Sequence, residues 1–262
     1  MKVALGQFAV AADWHTNQAA CLKLIARAKS GGADLLVLPE GILARDINDP
    51  EIMPKTAQPL DGPFMAGLCA ASEGITVMGC VNVPDGEGRF YNTLVVLRDG
   101  NIIARYRKIH LYDAFGARES DRTAPGHSLP PVIEIGGLKV GVMTCYDVRF
   151  PEVARALAAA GAEVIAMPAA WIRGPGKEHH WRVLNTARAL DNTCYVVAVG
   201  ECGVRNCGAS MVVDPLGVVT LDLGEAPALG FCDLDPARIA HARKVLPVLE
   251  NRRFANPILR SA

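Results

Sequence analysis

Residues 32–40, G-A-D-L-L-V-L-P-E, and residues 161–169, G-A-E-V-I-A-M-P-A, follow one pattern. Each opens on a glycine that can close a helix, runs through an acid into an apolar stretch, and stops at a proline. A short continuous apolar run is what a strand buried on both faces requires. Strand–helix–strand order surrounds both copies, so the chain is expected to be α/β, with two related half-layers packed face to face. The copies differ at their last residue, Glu40 against Ala169. The acid is therefore not needed by the strand itself.

Working outward, Lys2–Val10 reads as a strand, and Asn17–Ser30 as a helix with Thr16 as its N-cap. Residues 41–60 lack periodicity and hold Pro50, Pro54 and Pro59, which predicts a long loop. A helix is expected over 62–73. Strands over 75–83, 91–97 and 102–106 are joined by D-G-E-G and D-G turns, as in two successive hairpins. After a polar loop over 113–131 come a hairpin (132–135 and 139–143), a helix over 150–160, and a helix over 178–190. A buried strand over 194–200 follows, then a hairpin over 208–223, a last strand over 230–234, and a helix opened by Pro236. No linker or low-complexity segment divides residues 1–262, so one domain is expected.

Bulk composition excludes several function classes. The 27 basic and 27 acidic residues balance, which leaves no basic field for nucleic acid or an anionic membrane. No apolar run approaches the ~18 residues of a membrane span. Gln7 interrupts the apolar N-terminus, which reads as a core strand rather than a signal peptide. The eight cysteines mostly lie in apolar runs, and the histidines are not spaced as metal ligands. No metal and no cofactor are expected; a soluble, cytoplasmic protein is.

The chemistry concentrates at strand ends. Residues 138–152, L-K-V-G-V-M-T-C-Y-D-V-R-F-P-E, read as a buried strand that stops at Cys145 just ahead of a helix start. Backbone N–H groups there favour a thiolate. Glu40 ends another buried strand. Lys108, in R-Y-R-K-I-H-L-Y-D (105–113), ends a third, while Arg105 and Arg107 read as an exposed basic face. Sites in α/β sheets form beyond the carboxyl ends of strands. These three residue types make a coherent reaction: Cys145 attacks a carbonyl carbon and Glu40 carries the proton. Lys108 and the Tyr146 backbone N–H stabilise the oxyanion.

P-E at 39–40, R-K-I-H-L-Y-D at 107–113 and M-T-C-Y-D-V-R-F-P-E at 143–152 resemble the three signatures of the nitrilase superfamily, the carbon–nitrogen hydrolases. The stretches 112–115, 168–181, 187–195 and 200–203 are similar to its Nit branch. The resemblance implies a Glu40–Lys108–Cys145 triad with Glu119 as a second catalytic glutamate. It also implies a four-layer α-β-β-α sandwich that pairs into an eight-layer homodimer. The substrate it implies is a small amide with carboxylates at both ends. N-(4-oxoglutaryl)-L-cysteinylglycine, cut to 2-oxoglutarate and Cys-Gly, is the first expectation; 2-oxoglutaramate or 2-oxosuccinamate is the alternative. Charge matching nominates Arg173 and Lys177 for those carboxylates, then Arg118 and Arg45. Asp147, Arg149 and Glu152 are expected to hold the turn after Cys145 in shape, with Arg149 also able to touch substrate.

Overall fold

Apolar residues alternate between two destinations along the central strands, and that alternation defines the layers. The computed structural model describes residues 1–46, 48–49 and 51–260; Pro50 of the expected loop lies outside them. The chain begins with β1 (Lys2–Gln7), α1 (Trp14–Ser30), β2 (Leu35–Val37), α2 (Ile52–Thr56) and α3 (Pro63–Ala71). Next come β3 (Thr76–Pro84), β4 (Phe90–Arg98) and β5 (Asn101–Arg107). The second half holds β6 (Val132–Ile135), β7 (Leu138–Val142), α4 (Pro151–Ala159), β8 (Val164–Ala169) and α5 (Lys177–Asn192). It closes with β9 (Tyr195–Gly200), β10 (Met211–Val213), β11 (Val219–Asp222), β12 (Ala228–Asp233), α6 (Pro236–Val245) and α7 (Val248–Asn251).

The strands form two mixed six-stranded sheets, ordered β12-β1-β2-β3-β4-β5 and β6-β7-β8-β9-β10-β11. In each, three parallel strands (β1-β2-β3 and β7-β8-β9) carry one antiparallel strand on one side and two on the other. Val3, Leu35 and Val37 of the first sheet face Val140, Val164 and Val197 of the second in one core. The residues between them turn outward. Ala4 and Leu36 pack under α1 and α3, with Ile25 and Leu68. Ile165 and Val196 pack under α4 and α5, with Leu157 and Trp181. The result is the expected α-β-β-α sandwich, and the echo of 32–40 in 161–169 is a topological repeat, since β2 and β8 occupy the same place in their sheets. Each fully buried Leu, Ile or Val side chain in these layers stabilises the fold by roughly 1.5–3 kcal/mol before entropy is set against it.

Several local expectations are corrected. Helix α1 starts three residues early because Asp13, not Thr16, is the N-cap; its carboxylate accepts from the Thr16 N–H at 2.9 Å and from the Thr16 hydroxyl at 2.8 Å. The long loop contains the short α2 and buries Ile42, Leu43 and Ala44. Between β7 and α4 the chain makes a 3-10 turn, Cys145–Arg149, where a direct entry into helix was expected.

Candidate active site

Glu40, Lys108 and Cys145 meet between the two sheets, at the carboxyl ends of β2, β5 and β7. β2 is parallel to β3, and β5 is antiparallel to β4, which is antiparallel to β3, so β2 and β5 point the same way. Lys108 is 2 % and Glu40 3 % exposed, which makes their pairing obligatory. The Lys108 ammonium donates to Glu40 Oε1 at 3.0 Å and to Glu119 Oε2 at 2.8 Å. Glu119 sits in the loop after β5, where the Tyr112 N–H also donates to it at 2.6 Å. The Lys108 backbone is held on both sides, its N–H donating to Asn92 O at 2.9 Å and its carbonyl accepting from Gly126 N–H at 2.8 Å. A side chain at Gly126 would sit 2.1 Å from Arg107 O, so only glycine permits that approach.

Asn92, near the start of β4, completes the cluster. Its amide donates to Glu40 Oε1 at 2.7 Å and to Glu119 Oε1 at 3.2 Å, while its buried Oδ1 has no partner. Sequence reasoning passed over it. The available signal was a polar pair, Asn82 opposite Asn92, inside two otherwise apolar paired strands.

Cys145 opens the 3-10 turn with φ +44°, a left-handed conformation that costs a non-glycine residue about 1–3 kcal/mol. The turn puts the buried thiol close enough to Glu40, Lys108 and the Ala170 N–H for each to act on its ionisation. A reciprocal cap holds the turn. Thr144 Oγ1 accepts from the Asp147 N–H, and the Asp147 carboxylate accepts from the Thr144 N–H at 2.9 Å. From outside, Arg188 Nε of α5 donates to Val148 O at 2.9 Å. Glu152, by contrast, is exposed in the first turn of α4 and does not take part.

The electrostatics correct one expectation. Burial, and then the Glu40 charge, push the Cys145 thiol well above its usual range; Lys108 and the Ala170 N–H only oppose this. Burial and the Glu40 charge thus favour the thiol over the thiolate that the strand-to-helix position predicted. Burial also works against Lys108 and Glu40. For Lys108, Glu119 and then Glu40 outweigh it and hold the ammonium well above its usual range. For Glu40, Lys108 and then Arg45 outweigh it and bring the carboxyl down to about 2. A charged Glu40–Lys108–Glu119 cluster facing a neutral thiol can pass a proton from sulfur to Glu40 as the sulfur bonds to an electrophilic carbon.

The other nominated cations divide sharply. Lys177, buried at the start of α5, donates to the Tyr112 hydroxyl at 2.8 Å and lies 4.4–4.9 Å from the ring centres of Phe115, Tyr112 and Trp171. Arg149 lies over Trp171 at 4.8 Å and near Phe115 at 5.6 Å. Among the described residues neither has an acidic partner within ion-pair distance. Arg173 is paired with Glu225 at 3.0 Å, and Arg118 with Asp121 on the surface. Arg45 donates to the Glu40 carbonyl. Tyr146 is half-buried, its ring edge-on to Tyr112 and Phe150.

A model of the carbon–nitrogen hydrolase family matches residues 2–244. The chain belongs to that family. It is 50 % identical over 261 residues to the deaminated glutathione amidase of Escherichia coli O157:H7, covering 99 % of this chain and all of that one. Saccharomyces cerevisiae Nit3, a member of branch 10 of the nitrilase superfamily, superposes with a TM-score of 0.84 at 28 % identity over 97 % of each chain. A variant of the amidase from Nesterenkonia sp. AN1 superposes with a TM-score of 0.81 at 28 % identity, over 97 % of this chain and 96 % of that one. In that structure acrylamide has undergone Michael addition at the active site cysteine.

Proposed function

We propose that this carbon–nitrogen hydrolase is an amidase acting through a thioester on Cys145, with deaminated glutathione as its substrate. The observation that carries the chemistry is the buried Glu40–Lys108–Glu119 cluster set against a thiol on a strained turn. Cys145 Sγ attacks the amide carbonyl as its proton passes to Glu40. Lys108 and N–H groups of the first turn, Tyr146 among them, take up the charge on the carbonyl oxygen. The C–N bond then breaks, and Glu40 hands its proton to the leaving amine. Water, deprotonated by Glu40, attacks the thioester; the acid leaves and the thiol regains its proton. Glu119 and Asn92 keep Lys108 and Glu40 in register throughout. The net reaction is amide plus water to carboxylic acid plus amine, and no cofactor enters it.

The substrate assignment draws on the full-length identity to the Escherichia coli enzyme and on Lys177 and Arg149, two cations in an aromatic box with no acid among the described residues within ion-pair distance. They suit a substrate carboxylate. The test is hydrolysis of N-(4-oxoglutaryl)-L-cysteinylglycine beside 2-oxoglutaramate; a much higher kcat/KM for the second compound overturns the substrate assignment and leaves the amidase chemistry intact. We propose further that residues 1–262 act as one domain in the cytoplasm, where eight free thiols are stable. No helix among the described residues is long and apolar enough to cross a membrane. Pairing of two copies is proposed as well. The exposed Val183 and Leu190 of α5 and Phe254 in the tail are apolar groups that a second copy can cover, which light scattering tests directly.

A further inference from the structure

Tyr106, Lys108 and His110 alternate in sequence at the end of β5 and just beyond it, where the chain bends at 109–110. Lys108 goes to the carboxylate cluster. Its two neighbours in that alternation reach the turn that carries Cys145. The Tyr106 hydroxyl donates to Asp147 Oδ2 at 2.8 Å, and His110 Nδ1 donates to Asp147 Oδ1 at 2.8 Å. Asp147 is fully buried and is the same carboxylate that accepts the Thr144 N–H at 2.9 Å to close the strained turn. One buried acid thus fastens the Lys108 segment to the Cys145 turn on either side of the lysine. The His110 ring is also stacked on Phe150, the residue that leads out of the turn, with centroids 3.7 Å apart and planes 6° apart. His110 therefore grips the turn at both ends, by a hydrogen bond to Asp147 and by a stack on Phe150.

We propose that His110 is a positioning residue: through Asp147 it sets the register of the Cys145 turn against Lys108. It touches neither the thiol nor the ammonium. The inference rests on Cys145 being the nucleophile, as proposed above. Its weight comes from the left-handed φ of Cys145, a conformation that persists only where its surroundings over-determine it. Burying the Asp147 carboxylate is tolerable only while its donors are in place. Without the imidazole N–H, one oxygen of that carboxylate loses its partner and the cap on Thr144 loses its anchor. The thiol is then displaced relative to Glu40 and Lys108, while Lys177, which lies outside the turn at the start of α5, is left as it was.

Two substitutions separate the bond from the stack. His110→Asn can place an amide N–H where Nδ1 stands and removes the ring; His110→Phe keeps a ring on Phe150 and removes the donor. The readouts are kcat and KM for the amide, and the rate at which acrylamide modifies Cys145, followed by peptide mass. His110→Phe is expected to lower kcat and the modification rate by about tenfold to a hundredfold with KM little changed, the scale that a misplacement near 1 Å produces. His110→Asn is expected to restore both to within about threefold of wild type, a recovery that a general packing role cannot give. Thermal unfolding of both variants identifies any that fails to fold; if His110→Phe does not fold, Tyr106→Phe, which removes the other donor, takes its place with the same expected loss. Wild-type kcat in folded His110→Phe overturns the proposal, as does a folded His110→Asn no better than His110→Phe. A wild-type Cys145 inert to acrylamide overturns the nucleophile assignment itself. A reactive wild-type thiol with an equally reactive His110→Phe thiol overturns this inference alone.

Discussion

Glu40 and Ala169 stand at the same place in two halves of one repeat. Glu40 lies just past the central parallel strand β2 and Ala169 is the last residue of β8; each comes directly after a proline, with a helix before the strand and another after it. They also touch: the Glu40 N–H donates to Ala169 O at 3.3 Å, and the next residue, Ala170, donates its N–H to Glu40 Oε2 at 2.8 Å. One half uses the position for a buried carboxylate, and the other lends it only backbone. The strand and proline are thus a frame that folds with either side chain. A carboxylate is tolerated where Lys108 is present to receive it, and the second half has no such lysine at Ala169.

The comparison can be tested at four strengths. Removing the proposed nucleophile should have the largest effect: Cys145→Ala is expected to lower amide hydrolysis by at least about a thousandfold, while its melting temperature stays close to wild type. Glu40→Gln comes next. It keeps an acceptor for the Ala170 N–H and loses the proton carrier, so kcat should fall by about 10²–10⁴-fold. The same variant reports on acid stability. The folded Glu40 carboxyl lies at about 2 against an ordinary 4.5. Its ionised form therefore contributes stability in full above pH 4.5, and that contribution is lost as the pH falls toward about 2. Denaturant titrations over that window should show a steeper loss for wild type than for Glu40→Gln. In the other half, Ala169→Glu buries a carboxylate with no lysine beside it, and chemical unfolding should show a loss of about 3–5 kcal/mol.

The smallest effects separate the two kinds of cation. Lys177→Met should raise KM for a carboxylate-bearing amide by about tenfold or more and leave an uncharged amide unaffected, since a charged hydrogen bond contributes roughly 1.5–3 kcal/mol. Arg173→Ala removes a cation already paired with the exposed Glu225 carboxylate, and KM should move by less than about twofold. Equal effects at the two positions would break the distinction drawn between a cation held in an aromatic box and one paired at the surface.

How far the sequence foretold this depended on what each residue does to the chain around it. Glu40 and Cys145 each follow a buried strand, and the end of an apolar run is visible in one dimension; Lys108 was expected to end a buried strand too, but β5 is an edge strand whose residues are mostly exposed or half-buried. The repeat was visible for the same reason. Asn92 interrupts nothing, because β4 continues through it, and its meaning appears only when two distant carboxylates arrive at its amide. The 3-10 turn was hidden because its five residues carry no period of their own; a long-range Asp147 network fixes it. The thiolate expectation failed on burial. The position after a strand is the same in sequence whether the thiol is wet or dry, and here the Glu40 charge adds to the desolvation. Arg173 and Lys177, four residues apart in one loop-to-helix segment, were indistinguishable by charge and are distinguished by partners distant in sequence: Glu225, from the connection between β11 and β12, for the first, and the Tyr112 and Phe115 rings for the second.

The contact between Glu40 and the backbone after β8 carries one more consequence. Glu40, Lys108 and Glu119 all precede the exposed segment His127–Leu129, and Cys145 and Ala170 follow it. The proposed reacting centre is a seam, with the carboxylate assigned to take the sulfur's proton on one side of a chain cut and the sulfur on the other. A chain nicked at that segment would be a two-piece enzyme. Each piece alone would hold half of a proton-transfer pair, and activity would report, bond for bond, on whether the two had found each other.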